Sequence, residues 1–205
     1  MQRGYLPLWP FGSASAVAAW QAAYREGGHQ PWHLSSRDVA LDFAGSYLGY
    51  SEVDRVTATS GTARDHFVGV GWLDPNGKAT TVARVHLLRW GTATDAPWEV
   101  VGTHDTRLTL TRPRYGSTVT SPMTVGGTIT GVDENLRVAV HTLSAAKPVG
   151  VSPGVPAGGE GTPWSVKVAF SAPVGAVLTV SVSTGGHLKA VEAFAVTGVR
   201  VGTTP

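Results

Sequence analysis

The chain has no cysteine. Disulfide scaffolds, zinc knuckles and thiol catalysis are excluded together. It also lacks any run approaching the ~20 apolar residues of a membrane-spanning helix, so no transmembrane segment is expected. No stretch joins a basic start to an apolar core in the manner of a signal peptide. Met1, followed by Gln2-Arg3-Gly4, reads as a start placed after a removed leader, with any lipid-modified anchoring Cys lying upstream. Charge is scarce and nearly balanced: 16 basic against 14 acidic residues, net +2. The pI near 9.1 reflects a small excess of Arg. No Lys/Arg run is present to hold phosphates, which argues against nucleic acid as a partner. Catalytic signatures are missing as well. There is no HExxH metal motif, no Gly-x-Ser-x-Gly elbow and no phosphate loop. Neither a cofactor nor a resident metal is implied.

Two further scarcities concern origin. Ile129 is the only Ile, Asn occurs only at 76 and 135, and Arg outnumbers Lys 12 to 4. Ile, Lys and Asn have AT-rich codons, so the bias reads as a high-GC bacterial genome. A cysteine-free chain of this size fits a bacterial exported protein that folds without covalent staples. The expected location is therefore extracellular or attached to the cell envelope.

What is present is apolar surface and punctuation. The hydrophobic content of 42% with 15% charged residues marks a globular chain. The 26 Gly and 13 Pro supply many turns, which favours β structure. The length of 205 residues exceeds the usual single-domain size of ~100–150 and suggests two cores.

Tyr5, Leu6, Leu8, Trp9 and Phe11, set among prolines, form an extended arm apolar enough to require docking. Ser13 or Ser15 can cap a helix to about Arg25, with Val17, Trp20 and Tyr24 at helical spacing and Gly27-Gly28 as its stop. Ser35 opens a second helix, with Asp38 placed for a capping box and Gly49 at the end. From Val53 the period becomes two. Strands are expected at about 53–59, 65–73, 79–90 and 98–105, with a further short one at 107–111. Two helices followed by an antiparallel meander form an α+β unit over 1–112. In element order this unit resembles the cone-shaped fold of the scytalone dehydratase and ketosteroid isomerase superfamily.

Arg112-Pro113-Arg114-Tyr115-Gly116 reads as the boundary, and 113–205 as an all-β sandwich. Strands are expected at Val119–Gly131, Leu136–Leu143, Trp164–Phe170, Val177–Ser183 and Val191–Val201. Residues 147–163 read as a long Pro/Gly loop with one short edge strand at Val149–Val151. Val119-Thr120-Ser121-Pro122-Met123-Thr124-Val125-Gly126-Gly127 resembles the opening strand of the immunoglobulin-like domain of bacterial sporulation and spore-germination proteins. Leu136–Val140, Trp164–Phe170 and Val177–Val180 fall where that family has core strands. The resemblance covers about 117–203 and departs from the family at the long 147–163 loop. It implies an accessory, non-catalytic domain and brings no catalytic residues.

Candidate chemistry is sparse. The seven His show no metal spacing, and His29 and His33 flank Pro31-Trp32 as solvated loop residues. The acids are spread evenly; Asp133-Glu134 reads as a turn. Of the seven Trp, five fall in regular elements and read as core. Trp9 and Trp32 lie in loops, where they could stack on sugar rings or fill a partner's pocket, or pack internally. A polar cluster follows from register. If Asp74-Pro75-Asn76-Gly77 is a type I turn with a Gly bulge, Asp74 opposes Lys78, Trp72 opposes Thr80, and His66 opposes His86. Pairing Trp90 with Trp98 brings in His104. His66, Arg84, His86 and His104 would then share one face, suited to an anionic ligand more than to a metal because Arg84 is cationic. The alternative is a half-exposed sheet face of solvated groups.

The reading is a non-catalytic exported envelope module that binds an envelope protein or a cell-wall glycan. The alternative is anion binding or simple acid–base chemistry in a pocket of the N-terminal unit.

Overall fold

The structure is a computed structural model describing residues 4–203, without the side chains of 132–134. The Met1-Gln2-Arg3 start lies outside the described residues. The chain divides into two compact units, Met1–Val101 and Gly102–Pro205. The first holds two short helices and an antiparallel sheet; the second is built from β-strands.

In the first unit, α1 spans Ala14–Gly27. The Ser13 hydroxyl accepts the Ala16 N–H at the N-terminus, and Gly28 closes the helix in the left-handed conformation. Both ends are therefore written locally, by a short hydroxyl residue and by a glycine. A single 3-10 turn, Pro31–Leu34, leads to α2, Ser36–Asp42, capped by Ser35 through the Asp38 N–H. The last turn of α2 widens into a π-helical turn, Phe43–Tyr47, and the Leu48 N–H reaches back to the Phe43 carbonyl.

Strands β1 (Arg55–Thr62), β2 (Asp65–Leu73), β3 (Ala79–Arg89) and β4 (Trp98–Thr103) follow in sheet order β1-β2-β3-β4. The arm extends this sheet: Leu8 N–H donates to the Val100 carbonyl, and Val100 N–H to the Trp9 carbonyl. Leu6 and Leu8 are fully buried as a result. The expected docking of the arm is thus achieved by strand addition to β4.

The Asp74–Gly77 turn forms as its residues dictate. The Gly77 N–H bonds to the Asp74 carbonyl, and Gly77 takes φ +79°. Trp72 opposes Thr80. Beyond that pair the expected register fails. Gly71 opposes Thr81 but Val70 opposes Ala83, so Val82 is an extra, bulged residue. Gly71 permits the bulge, because a Cβ there would lie 1.8 Å from the Thr80 carbonyl oxygen.

The second unit begins at Gly102, within the end of β4, so the segment that follows β4 up to residue 112 belongs with the second unit. Leu108 and Arg112 pair with Ile129 and Gly126, and Leu108 is buried. β5 (Thr118–Val119) runs parallel to β10 (Ala193–Val201), which pairs antiparallel with β9 (Val177–Thr184). β6 is one 19-residue strand, Met123–His141, where two separate strands were expected. Register shifts between 129 and 134 bend its pairing: its first part pairs with β8 (Val155–Val168), and its end pairs with β9 and with β7 (Gly150–Val151). The edge strand expected near Val149–Val151 is present as β7. The long loop is not: Val155–Pro163 forms the start of β8, where alternation is hidden by Gly and Pro. The turn expected at Asp133-Glu134 falls inside β6. Val125, Leu136, Val140, Trp164, Val168, Leu178, Val180 and Val199 share one core.

Candidate functional site

The bulge at Val82 separates the histidines. His66 opposes Leu87, and His86 opposes Phe67, so the two imidazoles stand on opposite faces of the sheet. His104 lies beyond Val101, in the second unit. The expected single face of His66, Arg84, His86 and His104 is therefore not formed. The expected pairing of Trp90 with Trp98 also gives way: Trp90 N–H donates to the Pro97 carbonyl, and Trp98 lies under the Arg89 guanidinium at 4.8 Å.

Each residue of the first-unit set has a local task. His66 stacks on Trp98 at 4.8 Å between ring centroids, and its Nδ1 shares a 2.8 Å hydrogen bond with Ser36 Oγ at the start of α2. His66 thereby ties the helix to the sheet. His86 is buried; its Nε2 lies 2.9 Å from Asp65 Oδ1, and its ring stacks on Phe67 and meets Tyr5 edge-on. Arg84 is exposed, lies over the Phe67 ring at 5.1 Å and donates to Ser60 Oγ. Among the described residues no group of His, Asp and Glu is arranged to hold a metal.

Trp9 and Trp32 come together. Their rings stack at 5.6 Å with 28° between planes, and both are half-buried. Trp9 also lies 6.1 Å from Phe43 and 6.2 Å from Tyr47, whose own ring is half-buried. The local cause is clear. The arm is held against β4 at Trp9, the 3-10 turn presents Trp32, and the π turn carries Phe43 and Tyr47. Three chain segments thus build one aromatic cluster, in which Phe43 is fully buried and Trp9, Trp32 and Tyr47 are half-buried.

In the same unit lies a polar centre that sequence reasoning misses. Glu99, on β4, is fully buried. Its carboxylate oxygens accept the Phe11 N–H at 3.2 and 3.4 Å, and the amides of Gly12 and Trp9 also favour its charged form. Removal from water outweighs these dipoles and pushes the carboxyl up to about 8. A charged residue inside the apolar run Trp98–Val101 was the available signal. His33, expected to be solvated, is buried against Trp32, Phe11 and Trp20. Burial lowers its imidazole to about 4, opposed by the negative charge of Asp42 and aided by His29. Its Nδ1 and the Trp20 Nε1 have no partner among the described residues.

Comparison with known proteins gives no match: no protein-family model, no curated protein and no solved structure corresponds to this chain.

Proposed function

We propose that this chain is a non-catalytic module of the bacterial envelope that binds an envelope protein or a cell-wall glycan through the aromatic surface of Trp9, Trp32 and Tyr47. The observation that carries this reading is the stacked, half-buried Trp9–Trp32 pair. Large rings held rigid by neighbours and left partly open offer apolar area at low entropic cost, the usual chemistry of a recognition anchor. Chemistry of another kind is not favoured. His66 and His86 are each engaged by a structural neighbour, and Glu99 is sealed beneath the arm.

The fold-level resemblances are part of the same proposal. For the second unit, an immunoglobulin-like accessory domain is supported by strands at Leu136–Val140, Trp164–Val168 and Val177–Val180 around one core. For the first, the order of two helices and an antiparallel meander supports the cone-like reading. An accessory domain in an exported protein is compatible with location at the envelope.

The test is retention of the chain on bacterial envelope fractions. Binding that survives protease but not glycan hydrolase indicates a wall glycan; the reverse indicates a protein. No retention on either fraction would remove the proposal.

A further inference from the structure

The second unit contains a groove of about 440 Å³ whose walls come from the 108–112 segment, β6 and β8. That volume lies within the range of small-ligand sites. The walls are fixed closely. Arg112 and Gly126 exchange both backbone hydrogen bonds at 2.9 Å, and Thr109 N–H donates to the Thr128 carbonyl. Gly127 is needed for this approach, since a Cβ there would lie 2.0 Å from the Thr109 carbonyl oxygen.

The donors lining the groove are unbalanced. Arg112 is exposed, and among the described residues its guanidinium has no ion pair and no side-chain hydrogen bond. Thr111 and Ser165, both exposed and both carrying hydroxyls, also line the groove. Thr128 Oγ1 is already engaged with Thr109. Trp164 is a further lining residue; it is 6% exposed and its indole N–H is buried, so it neighbours the groove without donating into it. Among the described residues no carboxylate lines the groove. A groove lined by an unpaired arginine and two exposed hydroxyl residues, with no acid of its own among the described residues, matches an oxyanion.

We infer that this groove binds an anionic, sugar-sized ligand, with Arg112 gripping a carboxylate or phosphate and Ser165 and Thr111 donating to its oxygens. The site is independent of the Trp9–Trp32 surface, because it uses other residues in the other unit.

The experiment follows the Trp164 indole resonance in ¹H–¹⁵N spectra of the full chain, assigned through Trp164→Phe. Glucuronate, glucose 6-phosphate and neutral glucose are titrated separately. The expected result is a saturable shift with at least one of the two anions, weakened at least tenfold in Arg112→Gln, and no shift with glucose. The tighter of the two anions identifies carboxylate or phosphate as the group held. No response to either anion, an equal response to glucose, or an undiminished response in Arg112→Gln would overturn the inference.

Discussion

The backbone N–H of Phe11 donates to the buried carboxylate of Glu99 at 3.2 Å, across 88 residues of sequence. This bond fastens the arm over β4, and the arm in turn carries Trp9 to Trp32. The pH dependence of the first unit follows from it. The folded Glu99 carboxyl lies at about 8, above its ordinary value of 4.5. The folded state therefore holds its proton more tightly. The associated stability is complete below about pH 4.5 and is lost as pH rises through about 8. Over that range the loss should be a few kcal/mol, since each tenfold change in proton affinity corresponds to about 1.4 kcal/mol. Glu99→Gln should remove this slope in urea unfolding at pH 5, 6.5 and 8. Parallel profiles for the two proteins would contradict the assignment.

His33 acts with the opposite sign. Its folded value of about 4 lies below the ordinary 6.5, mainly because it is buried. The unfolded state protonates first, so stability falls as pH drops from about 6.5 toward 4. The imidazole signals of His33 should titrate near pH 4 in the folded chain. A midpoint near 6.5 would place the ring in water.

Trp164 opens the alternation of β8. Trp164 and Val168 are buried, with Phe170 continuing that face beyond the strand, while Ser165 is exposed. Trp164→Ala should cost about 3–5 kcal/mol, as large aromatic deletions in cores do. Denaturant unfolding measures this, and a loss below about 0.5 kcal/mol would mark a surface position.

The boundary can be tested by truncation. A fragment 102–205 retains the pairing of Leu108 and Arg112 with β6; a fragment 117–205 strips that edge and uncovers the core under Leu108. The longer fragment should unfold cooperatively at higher denaturant, with a difference of at least about 2 kcal/mol expected for losing a buried Leu. Equal midpoints would return the boundary to Pro113.

Much of the local structure was legible because its causes are local. Ser13, Ser35, Gly28 and the Asp74–Gly77 turn each act through near neighbours in the chain, and they stand where local pattern places them. The polar cluster failed for a reason that was also written in the sequence. Gly69 and Gly71 interrupt β2, and glycine within a strand signals a bulge or close backbone approach. Counting by twos through that point moved every later residue of β3 to the wrong face. The buried state of Glu99 and His33 was not legible in the same way. For Glu99 it depends on where an arm 88 residues distant comes to rest, and periodicity carries no information about that contact. The strand at Val155–Pro163 was hidden because Gly and Pro mask alternation, although the backbone still pairs with β6.

The most direct test of the binding proposal is quantitative retention on envelope fractions by Trp32→Ala, with wild type and thermal unfolding measured in parallel. Trp32 is half-buried and stacks on Trp9. The account predicts at least a tenfold loss of retention with cooperative unfolding preserved, a loss of about 1.4 kcal/mol or more in binding. Undiminished retention by a folded Trp32→Ala protein would contradict it.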